Sequence, residues 1–223
     1  MNPTTSDRGK CRCEKPILFG DVELGEKRHI CAFFNSAEEE YRVLMPFIRE
    51  GIELGEKASH VVSPGGRARH LQRMVAGGVD VVGAQYRGQF ELYDWEEMYL
   101  PDGRFDQYRM LAAWDGVIDR AVSEGFERTR VVAHMEWGLD KSDGAEDLLE
   151  YEARFNLRTR DRDPVICTYD LNLYGAAFIV DVMRTHPVML AGGILQENPF
   201  YVQPEEFIRE LQARKAMKDA AAT

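Results

Sequence analysis

The sequence predicts an α/β protein built on a mostly parallel sheet with helices on both faces. Short apolar segments typical of strands alternate along the chain with longer amphipathic segments typical of helices. Parallel strands need such crossover helices, and the helices then cover both faces of the sheet. The chain has 223 residues, enough for one sizeable core, so we expect a flexible tail over residues 1–16 and a single domain over residues 17–223.

The predicted strands are short apolar runs bounded by turn residues or charged residues. In chain order they span residues 29–34, 57–62, 89–94, 128–137, 164–170 and 188–196. The third of them runs into a loop that extends to residue 100. Residues 17–28 form either a short strand or a segment that leads into the first strand of the sheet.

The predicted helices have recognisable starts and ends. They span residues 41–56, 67–78, 105–125, 142–161, 175–186 and 204–219. Asn35 or Ser36 caps the segment that leads into the first helix, a pair of glycines closes the second, and apolar residues recur at helical spacing in the third. The fourth begins with Ser142 and an acidic first turn, Pro187 stops the fifth, and Pro204 takes a favoured first-turn position in the last.

The first strand and helix resemble the start of a RecA-type P-loop ATPase, but the segment between them differs. A P-loop reads G-x-x-x-x-G-K-[ST], because glycines let backbone N–H groups cradle phosphate while the Lys and the hydroxyl bind phosphate and Mg²⁺. Here residues 35–40 read Asn-Ser-Ala-Glu-Glu-Glu, with three carboxylates where phosphate would lie. Like charge opposes nucleotide binding. We therefore expect a degenerate P-loop, no bound ATP and a role in sensing or binding.

Composition argues against several classes of protein. A net charge of −10 disfavours a standing contact with DNA or RNA, which needs a basic face. No apolar run approaches the roughly 20 residues of a membrane span, and the polar N-terminus does not read as a signal peptide. Four cysteines are too few for a disulfide framework. We expect a cytoplasmic protein without a membrane or nucleic-acid partner.

Several spaced motifs together resemble one known family. They are HICAFFNSAEEE, LYDWEEMYL, HMEWGL, LLEYEARFN, CTYDLNLYGAAFIVDVMRTHP and ENPFY. This set resembles the MEDS sensory domain, a family named for methanogens, methylotrophs and a dichloromethane-responsive repressor. The resemblance implies a RecA/KaiC-like fold without a working P-loop. It also implies signal input by small organic molecules, proposed to be hydrocarbon derivatives, and output through a partner such as a kinase or a transcription regulator.

The tips of the predicted strands give a candidate ligand site, because open α/β sheets bind ligands beyond the carboxyl ends of their strands. The candidate ligand-binding residues are Asn35, Ser36, Glu38, Tyr93, Asp94, Glu136, Trp137, Tyr169 and Asp170. In this hypothesis aromatic walls hold an organic ligand, Glu136 anchors it, and residues 93–97 form a lid. The structural alternative makes residues 35–38 a helix cap and Trp137 a core residue.

A metal or redox site is a second hypothesis. In a RecA-like strand order the strand over residues 165–169 lies between the first strand and the strand that ends at residue 134. The candidate metal ligands on these strands are His29, Cys31, His134 and Cys167, with Glu136 beside them. Thiolates and imidazoles suit Zn²⁺, Cu⁺ or Fe. Buried cysteines also pack as small apolar residues, so core packing is the alternative.

The two tail cysteines, Cys11 and Cys13, are interpreted as redox-labile thiols or as part of a soft-metal site. The leading functional interpretation of the whole chain is a stand-alone small-molecule sensor that signals through a partner protein. The alternatives are a ligand-free protein-interaction module and a metal or redox sensor. An enzyme is not expected, because the sequence has no phosphate loop, nucleophile elbow or recognisable triad. No cofactor is expected, and a homodimer is the default assembly.

Overall fold

The computed structural model describes residues 16–19, 22–139, 144–158 and 162–221. Within these ranges the strands are β1 (Ile17–Phe19), β2 (Val22–Leu24), β3 (His29–Phe34), β4 (Lys57–Val62), β5 (Phe90–Asp94), β6 (Thr129–His134), β7 (Val165–Asp170), β8 (Val188–Ala191) and β9 (Ile194–Glu197). The α-helices are α1 (Ala37–Glu53), α2 (Arg67–Ala76), α3 (Val81–Tyr86), α4 (Trp95–Tyr99), α5 (Gln107–Ser123), α6 (Gly144–Phe155), α7 (Ala176–Thr185) and α8 (Pro204–Ala221). Short 3-10 turns occupy Pro64–Gly66 and Glu136–Leu139.

Seven strands form the central sheet in the order β5-β4-β6-β7-β3-β8-β9. All neighbouring pairs are parallel except β8 and β9, and β1 with β2 forms a separate antiparallel pair. The prediction of a mostly parallel α/β sheet is confirmed. The expected position of β7 between β3 and β6 is also confirmed, and it places the carboxyl ends of these strands side by side.

The predicted strand over residues 188–196 is wrong, because the chain reverses in its middle. Gly192 and Gly193 have φ angles of 58° and 78°, a left-handed conformation that favours glycine. Two such residues in succession make a tight hairpin turn that suits the twist of the strands it joins. The result is the antiparallel pair of β8 and β9 at one edge of the sheet.

Side-chain caps define the starts of the helices near the candidate site. Ser36, one of the two caps that the sequence predicts, is the N-cap of α1, and its Oγ accepts a hydrogen bond from the backbone N–H of Glu39 at 3.2 Å. A loop was predicted after β5, but Asp94 caps the short helix α4 there by accepting from the N–H of Glu96 at 2.9 Å. Local capping therefore starts a helix that the apolar pattern does not reveal.

The helices lie on both faces of the sheet and enclose two apolar cores. One core contains Ile30 and Phe34 of β3 with Leu44 of α1, on the face that α1, α2 and α3 cover. The other contains Phe33 of β3 and Trp114 of α5 among residues of α5 to α8. Alternate residues of β3 thus face opposite cores, as the period of two along a strand requires. None of the described helices is long and apolar enough to cross a membrane.

Candidate ligand site at the carboxyl edge of the sheet

A cavity of about 230 Å³ lies at the carboxyl ends of β3, β4, β6 and β7, beneath the first turns of α1 and α2. This is the position at which open parallel α/β sheets bind ligands. Most of its side chains are polar or charged: Ser36, Glu40, Tyr41, Ser63, Arg69, His70, Arg73, His134, Glu136 and Asp170. Such a lining suits a small polar molecule better than a purely apolar one.

His134 lies at the floor of this cavity between two carboxylates. Its Nε2 atom is 3.0 Å from Oε1 of Glu40, and its Nδ1 atom is 4.0 Å from Oε1 of Glu136. Burial alone lowers the pKa of His134, but the charges of Glu40 and Glu136 outweigh this effect and raise the pKa to about 9. The imidazole is therefore protonated near neutral pH, and the floor combines one cation with two acidic groups.

The Glu136 side chain lines the cavity, and its two carboxyl oxygens have different surroundings. Its Oε2 atom has no hydrogen-bond partner among the residues that the structure describes, although water cannot reach that atom. Burial raises the pKa of the Glu136 carboxyl, and the nearby His134 charge opposes that rise. A buried polar atom without a partner is costly, so a rotation of the carboxyl group that turns this oxygen into the cavity would allow it to bind a hydrogen-bonding ligand.

A chain of neutral groups leads from the cavity wall into the protein. The hydroxyl of Tyr41 lies within hydrogen-bond distance of Nδ1 of His70, and Nε2 of His70 lies 2.9 Å from Nδ1 of His60. Burial lowers the pKa of His60 to about 3 and lowers the pKa of His70 well below its usual value. Both imidazoles are neutral near pH 7, so the two histidines orient the Tyr41 hydroxyl without adding charge to the cavity.

Two arginines of α2 supply positive charge on the opposite side of the cavity. Arg73 pairs with Glu38 at 2.8 Å, and its guanidinium lies 4.7 Å from the ring centroid of Tyr41. Arg69 is exposed and makes no hydrogen bond or ion pair within the described part of the chain. The cavity thus has a cationic side at α2 and an acidic side at Glu136 and Asp170.

The structure brings some of the predicted site residues to this cavity. Ser36, Glu136 and Asp170 line it. Asn35 lies at its edge, where its backbone carbonyl accepts a hydrogen bond from Asn172 at 2.7 Å. Glu38 points to solvent and reaches the cavity only through its ion pair with Arg73.

The other predicted ligand-binding residues lie elsewhere, and their assignment to a shared pocket is corrected. Trp137 stacks on Tyr99 with a centroid separation of 4.8 Å, and Tyr169 donates a hydrogen bond to Glu152, both inside the core under α5 and α6. For Tyr169 the physical reason is strand alternation, because its neighbour Asp170 in β7 faces the cavity. Trp137 lies in the 3-10 turn Glu136–Leu139, which carries the chain away from the strand tip toward the other core.

Tyr93 and Asp94 do not line the cavity either. The hydroxyl of Tyr93 contacts Glu91 and accepts a hydrogen bond from Arg120 at 2.7 Å, on the side of the sheet that α5 covers. Asp94 is occupied as the N-cap of α4. The proposed lid over residues 93–97 is instead the start of this short helix.

The predicted metal set is also divided between the two faces of the sheet. The register pairs His134 with Thr168, so His134 and Glu136 lie on the α1 face while Cys167 points to the α6 face. The Cys31 thiol lies against the carbonyl of Val188, with its sulfur 3.7 Å away. Of the predicted set, only His29 and Cys167 come together, with Sγ of Cys167 3.6 Å from Nε2 of His29. Cys11 and Cys13 lie outside the described residues.

Sequence reasoning missed the side chains that the helices contribute. Arg69, His70 and Arg73 reach the cavity from one face of α2, and their spacing in the sequence is the signal that places them there. Glu152 of α6 and His186 after α7 join His29 and Cys167 on the other face of the sheet. Glu152 sits at helical spacing from the buried Leu148 and Leu149, so an acidic residue on an apolar helix face was the available signal.

The described residues form an α/β domain with a cavity at the carboxyl edge of a mostly parallel sheet. Residues 28–187 match the family described as "MEDS: MEthanogen/methylotroph, DcmR Sensory domain". The chain belongs to this family of sensory domains, which confirms the resemblance seen in its motifs.

The known proteins that are similar to this chain include a transcriptional repressor and a KaiC-like protein. The "Transcriptional repressor DcmR" of Methylorubrum extorquens (strain DSM 6343 / CIP 106787 / DM4) is 26% identical over 167 residues, which cover 74% of this chain and 60% of the repressor. The chain therefore spans about 60% of the length of that relative. The crystal structure of the KaiC-like protein PH0186 from Pyrococcus horikoshii OT3 is 16% identical with a TM-score of 0.51, covering 73% of this chain and 70% of that one. The second similarity is one of fold alone.

Proposed function

We propose that this chain is a non-catalytic sensor that binds a small polar organic molecule in the carboxyl-edge cavity and signals through a partner protein. The observation that carries the proposal is the Glu136 carboxyl, whose Oε2 atom lacks a hydrogen-bond partner within the described residues while its side chain lines the cavity. Membership of a sensory-domain family supports a role in detection. A bound molecule that satisfies Glu136 would gain a hydrogen bond in a poorly hydrated place.

The two charged sides of the cavity indicate the chemistry of the ligand. Arg69 offers a guanidinium to an anionic or carbonyl oxygen, and Glu136 with Asp170 offers acceptors to a hydroxyl or an amine. A cavity of about 230 Å³ holds a molecule of few non-hydrogen atoms. We infer an oxygenated small organic compound, which is compatible with the hydrocarbon derivatives that the family resemblance implies.

The proposal includes no nucleotide. Phosphate loops bind anions through free backbone N–H groups at the start of a helix. At the start of α1 the N–H of Glu39 already donates to Ser36, and the N–H of Asn35 donates to Oε2 of Glu39 at 2.9 Å. The side chains of Ser36 and Glu39 thus occupy backbone N–H groups that a phosphate would use. Glu38, Glu39 and Glu40 add negative charge at the same place.

The output is proposed to be regulatory. The relative DcmR is named a transcriptional repressor, and the matched part covers about 60% of its length. A net charge of −10 disfavours direct contact with nucleic acid, so we propose that this chain acts through a transcription regulator or a kinase in the cytoplasm. Ligand binding between α1 and α2 would favour one arrangement of these helices over another and so alter the surface offered to the partner.

A thermal-stability screen of the full chain tests the proposal. The panel would contain small carboxylic acids, alcohols, amines and carbonyl compounds, each added alone. We expect at least one class to raise the Tm of the wild-type protein, because a ligand that binds only the folded state stabilises it. If no compound raises the Tm and the protein still captures a regulator, the ligand-free interaction module is the better description.

Matched variants test whether the ligand binds in the cavity. Glu136→Gln and Arg69→Gln should each weaken binding by about tenfold or more, since each removes a charged hydrogen-bonding group. Glu197→Gln on β9 and Arg209→Gln on α8 make the same chemical changes at exposed positions away from the cavity. These controls should bind like the wild-type protein. Equal binding by all four variants would show that the ligand binds elsewhere.

A further inference from the structure

Four buried side chains from four different elements converge beneath the sheet, on the face that α6 and α7 cover. They are His29 at the start of β3, Glu152 of α6, Cys167 in the middle of β7 and His186 directly after α7. One potential ligand atom of each lies within 4.8 Å of those of the other three. All four residues are buried, with exposed fractions of 6% or less. This cluster is separate from the carboxyl-edge cavity and is not needed for the function proposed above.

Four of the six distances between the ligand atoms are close to the edges of a metal tetrahedron, and the other two are no longer than 4.8 Å. Oε2 of Glu152 lies 3.1 Å from Nε2 of His29 and 3.4 Å from Nε2 of His186. Sγ of Cys167 lies 3.6 Å from Nε2 of His29 and 3.8 Å from Oε2 of Glu152. For tetrahedral Zn²⁺ with ordinary bond lengths, nitrogen–oxygen edges are about 3.3 Å and sulfur–nitrogen edges are about 3.6 Å.

Hydrogen bonds fix both imidazoles with Nε2 directed into the cluster. The Asn156 side-chain amide donates to the carbonyls of Glu152 at 3.0 Å and Thr185 at 2.7 Å, which turns its Oδ1 toward Nδ1 of His29, 3.0 Å away. An amide oxygen only accepts, so Nδ1 of His29 carries the hydrogen. A metal-binding histidine is commonly held in this way by a hydrogen bond from its other ring nitrogen.

His186 is oriented by the same kind of contact. Its Nδ1 lies 2.9 Å from the carbonyl oxygen of Val182, which can only accept a hydrogen bond. Its Nε2 has no hydrogen-bond partner in the described part of the chain, although it faces the Glu152 carboxylate. The other oxygen of that carboxylate, Oε1, accepts from the hydroxyl of Tyr169 at 3.1 Å. Both imidazoles and the carboxylate of the cluster therefore have outer partners that hold them in position.

A divalent cation would balance the charges of the cluster. Two neutral imidazoles, the Glu152 carboxylate and a Cys167 thiolate together carry a charge of −2, and Zn²⁺ would make the assembly neutral. Without a cation, a single protonated imidazole would balance Glu152 but would leave the Nε2 lone pair of the other imidazole facing the carboxylate, and two protonated imidazoles would repel each other at a ring separation of 4.1 Å. An uncompensated charge is very costly in a buried site.

We propose that His29, Glu152, Cys167 and His186 form a closed four-coordinate site for Zn²⁺. On binding, the Cys167 thiol loses its proton to solvent and a zinc–sulfur bond forms, while the two Nε2 atoms and Oε2 of Glu152 supply the other three bonds. A site with four protein ligands leaves no open position, which is typical of structural zinc rather than catalytic zinc. Zinc would join β3, β7, α6 and the end of α7. A cavity of about 290 Å³ bordered by His29 and Asn156 provides access from the amino edge.

The proposed zinc site differs in two residues from the set of metal ligands predicted from the sequence. Cys31 and His134 are absent from it, and Glu152 and His186 take their places. Cys31 is a matched control, because it is a buried cysteine and the direct register partner of Cys167 in the neighbouring strand. Its sulfur lies against the Val188 carbonyl instead of the cluster.

Metal analysis of the full chain tests the assignment. Elemental analysis and native mass spectrometry should find one Zn²⁺ per chain in the wild-type protein and in Cys31→Ser, and a loss of that ion in Cys167→Ser and His186→Ala. Refolding the wild-type protein with a chelator should lower its Tm, and adding Zn²⁺ should restore it, since metal binding is coupled to folding. This comparison needs no variant and remains informative if a variant fails to fold.

Substitution of Co²⁺ for Zn²⁺ tests directly whether Cys167 is a metal ligand. Wild-type protein and Cys31→Ser refolded with Co²⁺ should show a thiolate-to-cobalt charge-transfer band with visible bands typical of tetrahedral Co²⁺, and folded Cys167→Ser should lack the charge-transfer band. A chain that binds neither Zn²⁺ nor Co²⁺ would overturn the assignment. So would a metal ion retained equally by Cys167→Ser and His186→Ala, because that ion would belong to a different part of the chain.

Discussion

The Nε2 atom of His134, at the end of β6, lies 3.0 Å from the Oε1 atom of Glu40 in the first turn of α1. This contact joins the tip of a central strand to the helix that covers the carboxyl-edge cavity. Both side chains are about 13% exposed, so water and salt screen their attraction only weakly. We therefore expect a molecule that binds Glu136 to change the surroundings of His134 and so to affect the position of α1.

The His134 contact predicts a specific dependence of stability on pH. The pKa of His134 is raised from 6.5 to about 9 in the folded protein, so its protonated form stabilises the fold. This contribution is complete below about pH 6.5 and is lost as the pH rises through about 9. The free energy of unfolding of wild type relative to His134→Gln should therefore fall by up to about 3 kcal/mol between pH 6 and pH 10. Urea denaturation of both proteins at each pH measures it, and a difference that does not change with pH would contradict the assigned ion pair.

The capped start of α1 predicts that nucleotide does not bind there. Millimolar ATP with Mg²⁺ should leave the Tm of the wild-type protein unchanged, because Ser36 and Glu39 already occupy backbone donors and the first turn is acidic. A Ser36→Ala variant should lose about 1 kcal/mol of stability through the lost cap and should still show no response to ATP. An ATP-dependent rise in Tm of either protein would contradict this prediction.

A buried ion network at the amino edge of the sheet predicts a large stability effect. Glu56 contacts Arg128 through Oε1 and Arg130 through Oε2, each at 2.5 Å, and both arginines are buried. Glu56→Gln leaves two buried cations without their shared carboxylate and should cost about 3–5 kcal/mol. Glu53→Gln removes only an exposed pair with Arg49 and should change the free energy of unfolding by less than about 0.5 kcal/mol. Chemical denaturation compares the two variants, and similar small losses would show that the network is not energetically important.

Two helical glycines predict opposite effects of the same substitution. A Cβ atom at Gly51 of α1 would lie 2.6 Å from Cδ of Arg130, which is itself held by Glu56, so Gly51→Ala should destabilise the protein. A Cβ at Gly116 of α5 meets nothing within 4 Å, so Gly116→Ala should stabilise it by about 0.5–1 kcal/mol through better helix propensity. Thermal denaturation gives both signs directly. Stabilisation by Gly51→Ala would show that Arg130 can move aside at little cost.

Local patterns were sufficient to predict the sheet and a cap before the first helix. Alternating segments indicate the parallel sheet, and a polar residue ahead of three acidic ones indicates a cap at Asn35 or Ser36. The same patterns could not assign Trp137 or Tyr169 to a face. A residue at the tip of a strand lies near the carboxyl edge of the sheet. The register with neighbouring strands decides which side of the sheet that residue faces.

The four-residue cluster was beyond prediction for a different reason. Glu152 and His186 come from a helix and a helix end, and only the packing of α6 and α7 on the sheet brings them to His29 and Cys167. Sequence spacing carries no information on that packing. The turn between β8 and β9 was missed because two adjacent glycines fit either a strand or a reversal until their φ angles are known.

The most direct test of ligand sensing at the carboxyl edge is a crystal structure of the full chain with the compound that raises its Tm most. We predict that the bound molecule spans the cavity, with an oxygen near the Arg69 guanidinium and a hydrogen bond to the Glu136 carboxyl. A molecule bound at the amino edge beside His29, or on the outer surface with this cavity unchanged, would contradict ligand sensing at the carboxyl edge.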